Sequence, residues 1–89
     1  MSQILSISGT ITRETVVEQL ARVSEMLVSS TRTVDLSGVT TVDSTALAFW
    51  VEVERRAKEL ALPPLSWTGV PEQMISIAKL VGMDAMILR

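Results

Sequence analysis

Along the first third of the chain, the pattern of apolar and polar residues has two different periods, one after the other. Residues 3–8 are short and rich in residues that favour β structure, and Gly9 follows them, which predicts a strand. Across residues 13–29 the apolar positions recur at intervals of four, three and four, the spacing of one buried helix face. We expect Thr12 to cap this helix. Its inward residues are Val16, Leu20, Val23 and Leu27, with Val17 and Val28 widening the stripe.

The middle of the chain repeats the order of strand and helix. Residues 34–36 predict a second strand, which should break at Ser37 and Gly38 before a short extended segment over residues 39–42. A second helix is expected to begin at Asp43–Ser44 and to end near residue 61, because apolar positions again recur at helical spacing.

A double proline at residues 63–64 separates the second helix from a third strand at 65–68. A third helix is expected to open with Pro71 at its first position and to end at Gly82. Residues 85–88 predict a final strand or an extended tail. The inward residues of the third helix are Met74, Ile77, Ala78 and Val81.

Strands that alternate with helices are typical of a parallel or mixed sheet covered by helices. We therefore predict a single α/β domain over residues 1–89. Apolar residues make up 47% of these 89 residues but aromatic residues only 3%, so the core must be aliphatic. Because so short a chain buries little surface, the apolar excess also indicates a contact with a partner.

The residue types that the chain lacks exclude several classes of function. It has no Cys and no His, which excludes disulfides, thiolate catalysis and the commonest general base and metal ligand. The four glycines are too widely spread for a phosphate-binding loop, so we expect no cofactor, no metal and no enzyme. A net charge of -2 without a basic stripe argues against nucleic acid. Without a signal peptide or a long apolar run, we expect a cytoplasmic protein.

The second helix presents two different faces on a helical wheel. Its core stripe is predicted to be Ala46, Trp50, Val53, Ala57 and Leu60, flanked by Phe49 and Ala61. Away from that stripe lie Ser44, Leu47, Ala48 and Val51, followed by Arg55. Apolar residues on the outer face of the first two turns do not suit a solvated surface. They form a candidate contact patch with a hydroxyl group at its end.

Simpler interpretations of the same residues stay open. Asp43 or Ser44 can serve only as the N-cap, and the outer apolar residues can be scattered surface residues. A functional role for Ser44 has a physical basis, because a phosphate there would place about two negative charges inside the patch and switch binding off. Asp35 should face away from Val34 and Leu36 on its strand, and a structural role is the simpler expectation.

The stretch Val34–Ala48, which reads VDLSGVTTVDSTALA, resembles the signature of STAS domains, named for sulfate transporters and anti-sigma-factor antagonists. In that family an apolar–Asp–Leu strand leads through a loop to a helix that begins Asp–Ser/Thr–x–Gly/Ala–Leu. Asp35 and Asp43 match the two motif acids, and Ser44 matches the family's functional hydroxyl. A frequent glycine of the motif is Ala46 here, which keeps the small size but restricts the backbone.

Residues 65–89 are similar to the MlaB branch of the family, the small subunits of Mla-type ABC phospholipid transporters. This resemblance implies a mixed sheet of four or five strands with helices mainly on one side, and no catalysis. It implies binding to the ATPase subunit MlaF and, through it, assembly with the permease MlaE and with MlaD. The domain would then meet the membrane only through that complex, which maintains the lipid asymmetry of the outer membrane.

Two functions follow as hypotheses. In the first, the domain docks on an ABC ATPase through the start of the second helix, by Ser44, Thr45, Leu47, Ala48, Val51 and Arg55. In the second, it is an anti-sigma-factor antagonist that a phosphate on Ser44 releases from its partner. Direct binding of lipid in the core also stays open. When the partner is absent, pairing of exposed edge strands would give a homodimer.

Overall fold

The computed structural model describes residues 3–83 and shows strands and helices in strict alternation. This order confirms the predicted α/β class. The predicted final strand at residues 85–88 lies outside the described residues. The elements are β1 (Gln3–Ile11), α1 (Val16–Met26), β2 (Thr31–Val42), α2 (Thr45–Glu59), β3 (Ser66–Thr68) and α3 (Glu72–Leu80).

The sheet has the order β1-β2-β3, and both strand pairs are parallel. The register places Ser6 of β1 beside Asp35 of β2, and Asp35 beside Thr68 of β3. Within residues 3–83 the sheet therefore has three strands, and the expectation of a mixed sheet of four or five strands is wrong for this part of the chain. The parallel pairing follows from the helix between each pair of successive strands, which returns the chain to the same end of the sheet.

The strand β2 is one continuous strand of 12 residues, so the predicted break at Ser37 and Gly38 is wrong. Gly38 pairs with Ser8 of β1 where the register shifts, and a Cβ atom on Gly38 would lie 3.1 Å from the Cβ atom of Ser8. The glycine thus permits a close approach of two strands rather than ending one.

Burial alternates along the strands and assigns the core to one face of the sheet. Leu5 and Ile7 are buried in β1, whereas Ile4 and Ser6 between them are exposed. The helices α1 and α2 contact each other and β1, so they cover the buried face together. The opposite face, which we call the open face, carries strand residues that are exposed or half-buried, so within residues 3–83 the helices lie mainly on one side of the sheet. The buried strand residues are Leu5, Ile7, Ile11, Thr31, Val34, Leu36 and Val42.

The helix α1 is shorter than predicted at both ends. It begins at Val16, and its N-cap is Thr15 rather than Thr12. A tight turn precedes it, in which the Thr15 hydroxyl accepts the Thr12 N–H at 2.9 Å and donates to the Thr10 carbonyl at 3.0 Å. The helix ends at Met26, because Leu27 is already extended.

The inward face of α1 contains a residue that the apolar pattern missed. Val23 and Leu27 are buried as predicted, but Val17 is 77% exposed and Val28 is 40% exposed, so neither widens the stripe. Gln19 is buried instead, and its side-chain amide donates to the Ser8 carbonyl at 2.9 Å and to the Thr10 carbonyl at 2.8 Å. A pattern of apolar residues cannot find a glutamine that is buried for its hydrogen bonds.

The helix α3 confirms most of its predicted face. Met74 and Ala78 are buried, and Ile77 is half-buried against the core. Val81 is 59% exposed, so its assignment to the core was wrong, because it lies past the last helical turn as the C-cap residue. Pro71 is the N-cap residue rather than the first helical residue.

Candidate functional site

The start of α2 is capped by the carboxylate of Asp43, a residue that precedes the helix. The Asp43 side chain accepts the Thr45 N–H at 2.8 Å and the Arg13 N–H at 3.1 Å. The hydrogen bond from the Arg13 backbone is the main cause that lowers the pKa of Asp43 from its ordinary value. Asp43 therefore caps α2 and ties it to the loop between β1 and α1.

Ser44 occupies the N-cap position of α2, but its hydroxyl makes no capping hydrogen bond. Its backbone is already helical, with φ -60° and ψ -20°, which is not the extended geometry of a capping serine. The side chain is exposed. The structure thus separates the two sequence interpretations, because Asp43 caps the helix and the Ser44 hydroxyl is left at the surface.

Four of the six predicted contact residues form one exposed row along α2. Ser44, Ala48, Val51 and Arg55 are separated by four, three and four residues and are all exposed; we call this row the outer stripe. Val51 is the large apolar member, with 46% of its surface exposed. Thr45 is half-buried at the helix start.

Leu47 is not part of the outer stripe, and its assignment to a contact patch was wrong. It is 8% exposed and belongs to the same buried cluster as Ala46 and Phe49. On a helical wheel it lies at the boundary between the core face and the outer face. The packing of the first turn of α2 against the core places it inside.

The core face of α2 otherwise follows the sequence interpretation, with one correction. Ala46, Trp50, Val53 and Ala57 are buried. Leu60 is 54% exposed, because α2 ends at Glu59 and Leu60 is its C-cap residue.

The Arg55 side chain forms its ion pairs with residues of its own helix. Its guanidinium forms ion pairs with Glu52 and with Glu59. The hydrogen bond from Arg55 is the largest cause that lowers the pKa of Glu52 to about 2, and the same bond raises the pKa of Arg55. Any partner that uses Arg55 must therefore compete with two carboxylates that already surround it.

Asp35 lies apart from the outer stripe, on the open face of the sheet. Its carboxylate accepts the N–H and the hydroxyl of Ser37, each at 3.0 Å, and the Thr68 hydroxyl at 3.3 Å. The backbone bond from Ser37 is the largest cause that lowers the pKa of Asp35. Asp35 thus joins β2 to β3, a structural role, and the structure does not bring it together with Ser44.

A groove beside the outer stripe was missed by the sequence interpretation. It has a volume of about 500 Å³ and lies between α2 and the loop that carries Pro63 and Pro64. Trp67 contacts two residues that line the groove: its indole N–H donates to Glu54 at 2.8 Å, and its ring lies 6.3 Å from that of Trp50. The double proline was the available signal, since two rigid residues after a helix can form a groove wall. The groove is lined by Trp50, Val51, Glu54, Arg55, Ala57, Lys58, Leu62, Pro63 and Pro64.

No helix within residues 3–83 is long and apolar enough to cross a membrane. No three acidic residues there are grouped in a way that could hold a metal ion.

Comparison with known proteins assigns the family. A family model described as "Mlab, STAS domain" matches residues 1–89. The chain belongs to the STAS family. STAS domains are generally non-catalytic and serve regulation or interaction.

A solved structure agrees with this assignment at the level of the fold. The STAS domain described here is similar to the crystal structure of a sulfate transporter family protein from Wolinella succinogenes, with a TM-score of 0.67. The match covers 97% of this chain and 70% of that chain at 15% sequence identity, so the likeness shows the fold alone. Among curated proteins no significant match is found.

Proposed function

We propose that this STAS domain is a non-catalytic regulatory subunit that binds the ATPase subunit, of the MlaF type, of an Mla-type ABC phospholipid transporter. The observation that carries the proposal is the outer stripe, which presents a hydroxyl and exposed apolar surface in one row at the start of α2. The description of the matching family model as Mlab supports the transporter branch.

The start of α2 suits docking because Asp43 supplies its capping hydrogen bond and the Ser44 hydroxyl makes none. Asp43 supplies the cap and fixes the neighbouring loop through Arg13, so Ser44 is available to bond polar groups of the ATPase. Ala48 is small and lets a partner approach the helix closely, and Val51 supplies apolar surface to bury. Arg55 lies at the rim of this contact, where its ion pairs keep its charge compensated.

Through the ATPase the domain would join a complex with the permease MlaE and with MlaD. That complex moves phospholipid between the two membranes and maintains the lipid asymmetry of the outer membrane. The domain itself would lie in the cytoplasm, at the cytoplasmic face of the inner membrane. It would stabilise the folded ATPase by mass action, because a ligand that binds only a folded form shifts the equilibrium toward that form.

Copurification from the native host tests the proposal. The wild-type chain should retain an ABC ATPase, whereas Ser44→Glu and Val51→Asp should lose it. Val17→Asp is the matched control, because Val17 is 77% exposed on α1 and lies outside the outer stripe. Full retention of the ATPase by both stripe variants would refute the proposed surface.

A second candidate function rests on the Ser44 hydroxyl, which is exposed and makes no capping hydrogen bond. In that case the domain is an anti-sigma-factor antagonist, which a phosphate on Ser44 releases from its kinase partner. A phosphate at this position would set its charge among Ala48 and Val51, where an apolar contact could not tolerate it. Intact mass after incubation with cellular kinases decides the matter: a single phosphate that Ser44→Ala abolishes favours the antagonist, and an unmodified chain excludes it.

A further inference from the structure

The outer edge of β1 lacks the charged residues and prolines that commonly protect an edge strand. In the part of the chain that the structure describes, β2 is the only strand beside β1, so the other edge of β1 has no strand partner. Residues 3–11 include neither a charged residue nor a proline. Native sheets commonly protect such an edge with lysines, prolines or a covering element, because its free N–H and C=O groups otherwise accept a further strand.

Gln19 covers one half of this edge. Its buried amide donates to the carbonyls of Ser8 and Thr10, so these two groups point away from β2. On the other side, the Gln3 N–H donates to the Ser30 carbonyl at the start of β2. Backbone groups alternate in direction along a strand, so those of Ile4 and Ser6 point outward together with those of Ser8 and Thr10. The half of the edge that contains Ile4 and Ser6 lies beyond the reach of the Gln19 bonds.

Exposed apolar side chains stand on both sides of this open half. Ile4 is 65% exposed on the open face of the sheet. Met26 is 45% exposed and lies two helical turns after Gln19 on the same side of α1, away from the side on which Arg56 of α2 bonds the Leu20 carbonyl. The exposed Arg22 lies between Gln19 and Met26 on this side. Because α1 runs antiparallel to β1, its last turn lies alongside the first residues of the strand. The strand edge is thus uncharged and has one exposed apolar side chain on each side, Ile4 from the strand and Met26 from α1.

We propose that the Ile4–Ser6 edge of β1 binds the same edge of a second copy of this chain, as an antiparallel pair about a two-fold axis. Ile4 of each copy then lies opposite Ser6 of the other, and each pair exchanges both N–H···O bonds. The occupant is a second copy because residues 3–11 contain no charge, so two identical strands pair without like charges opposite each other in the ladder. A two-fold axis also lets the same patch serve on both sides. The outer stripe of α2 takes no part in this contact, so the dimer and the proposed ATPase contact are compatible.

Analytical ultracentrifugation of the purified full chain tests this inference. We expect the apparent mass to rise with concentration from 9.7 kDa to twice that value. Ser6→Pro removes one outward N–H and leaves the ladder to β2 intact, and it should weaken the dimer by about 10-fold or more. Ile4→Lys and Met26→Lys place charges beside the edge and should weaken it similarly. Val17→Lys is the matched control, since Val17 is exposed on a different face of α1.

The controls separate edge pairing from other outcomes. Circular dichroism establishes that each variant is folded, and because Met26→Lys leaves the strand itself unchanged, it remains informative where Ser6→Pro does not fold. A chain that stays monomeric at all concentrations overturns the proposal. So does a dimer that Ile4→Lys and Met26→Lys leave unchanged, because its contact must then lie elsewhere. Neither result bears on ATPase binding, which is measured with separate variants.

Discussion

The different environments of Leu47 and Val51 give a prediction that separates folding from docking. Leu47 is 8% exposed within the core, so Leu47→Ala removes buried methyl groups and leaves a cavity. A substitution of this kind costs about 2–4 kcal/mol of the free energy of unfolding. For a domain of this length each kcal/mol corresponds to about 4–8 °C, so the melting temperature should fall by about 8–32 °C.

Val51 should behave in the opposite way. Nearly half of its surface is exposed, so Val51→Ala costs less than about 1 kcal/mol. Thermal unfolding followed by circular dichroism measures both changes, and binding of the ATPase is measured at a temperature where both variants are folded. We expect Leu47→Ala to bind the ATPase. A third variant, Val51→Asp, should not bind it at the same temperature. If Leu47→Ala kept the wild-type melting temperature, the burial of Leu47 and the boundary drawn for the outer stripe would be refuted.

Three further predictions concern the turns and charges that hold the fold. Gly69→Ala should cost about 3 kcal/mol, because Gly69 has φ +65° and a Cβ atom there would lie 2.6 Å from the backbone nitrogen of Ser37. Gly82→Ala is its control: φ is +76°, but apart from its chain neighbours no atom of residues 3–83 would lie within 4 Å of the added Cβ atom, so thermal unfolding should show a loss of about 1 kcal/mol. The pKa of Asp43 is lower in the folded state, so its contribution is complete above the ordinary value of 3.8 and disappears as the pH falls through the lowered pKa. Acid titration of the melting temperature should therefore show a smaller loss for Asp43→Asn than for wild type, and an equal loss would contradict the capping role. The pKa of Glu52 is about 2 against an ordinary value of 4.5, so Glu52→Gln should reduce the loss of stability between these two pH values.

The order of strands and helices was predictable because burial follows simple periods in this chain. In α2 the core residues recur at helical spacing, and Ala46, Trp50, Val53 and Ala57 are buried as that spacing requires. The helical wheel also placed Ser44 away from the core, and its side chain is exposed. These features depend on short stretches of sequence, and a single chain is enough to identify them.

The errors arise where contacts between distant residues decide the outcome. Gly38 reads as a strand break, but its pairing with Ser8 of another strand makes it part of β2. Leu47 lies at the boundary of two helix faces, and only the packing of α2 determines that it is buried. Gln19 looks like a solvated residue, yet its hydrogen bonds to the carbonyls of β1 draw it inside.

The central claim is that the outer stripe of α2 binds the ATPase subunit. Titration calorimetry with the purified subunit and the purified STAS domain tests it most directly. The account predicts that Val51→Asp weakens binding by about 10-fold or more, while Val17→Asp, which adds the same charge at a more exposed position, leaves the affinity unchanged. Equal affinity of the wild type and Val51→Asp, with both chains folded, would contradict the account.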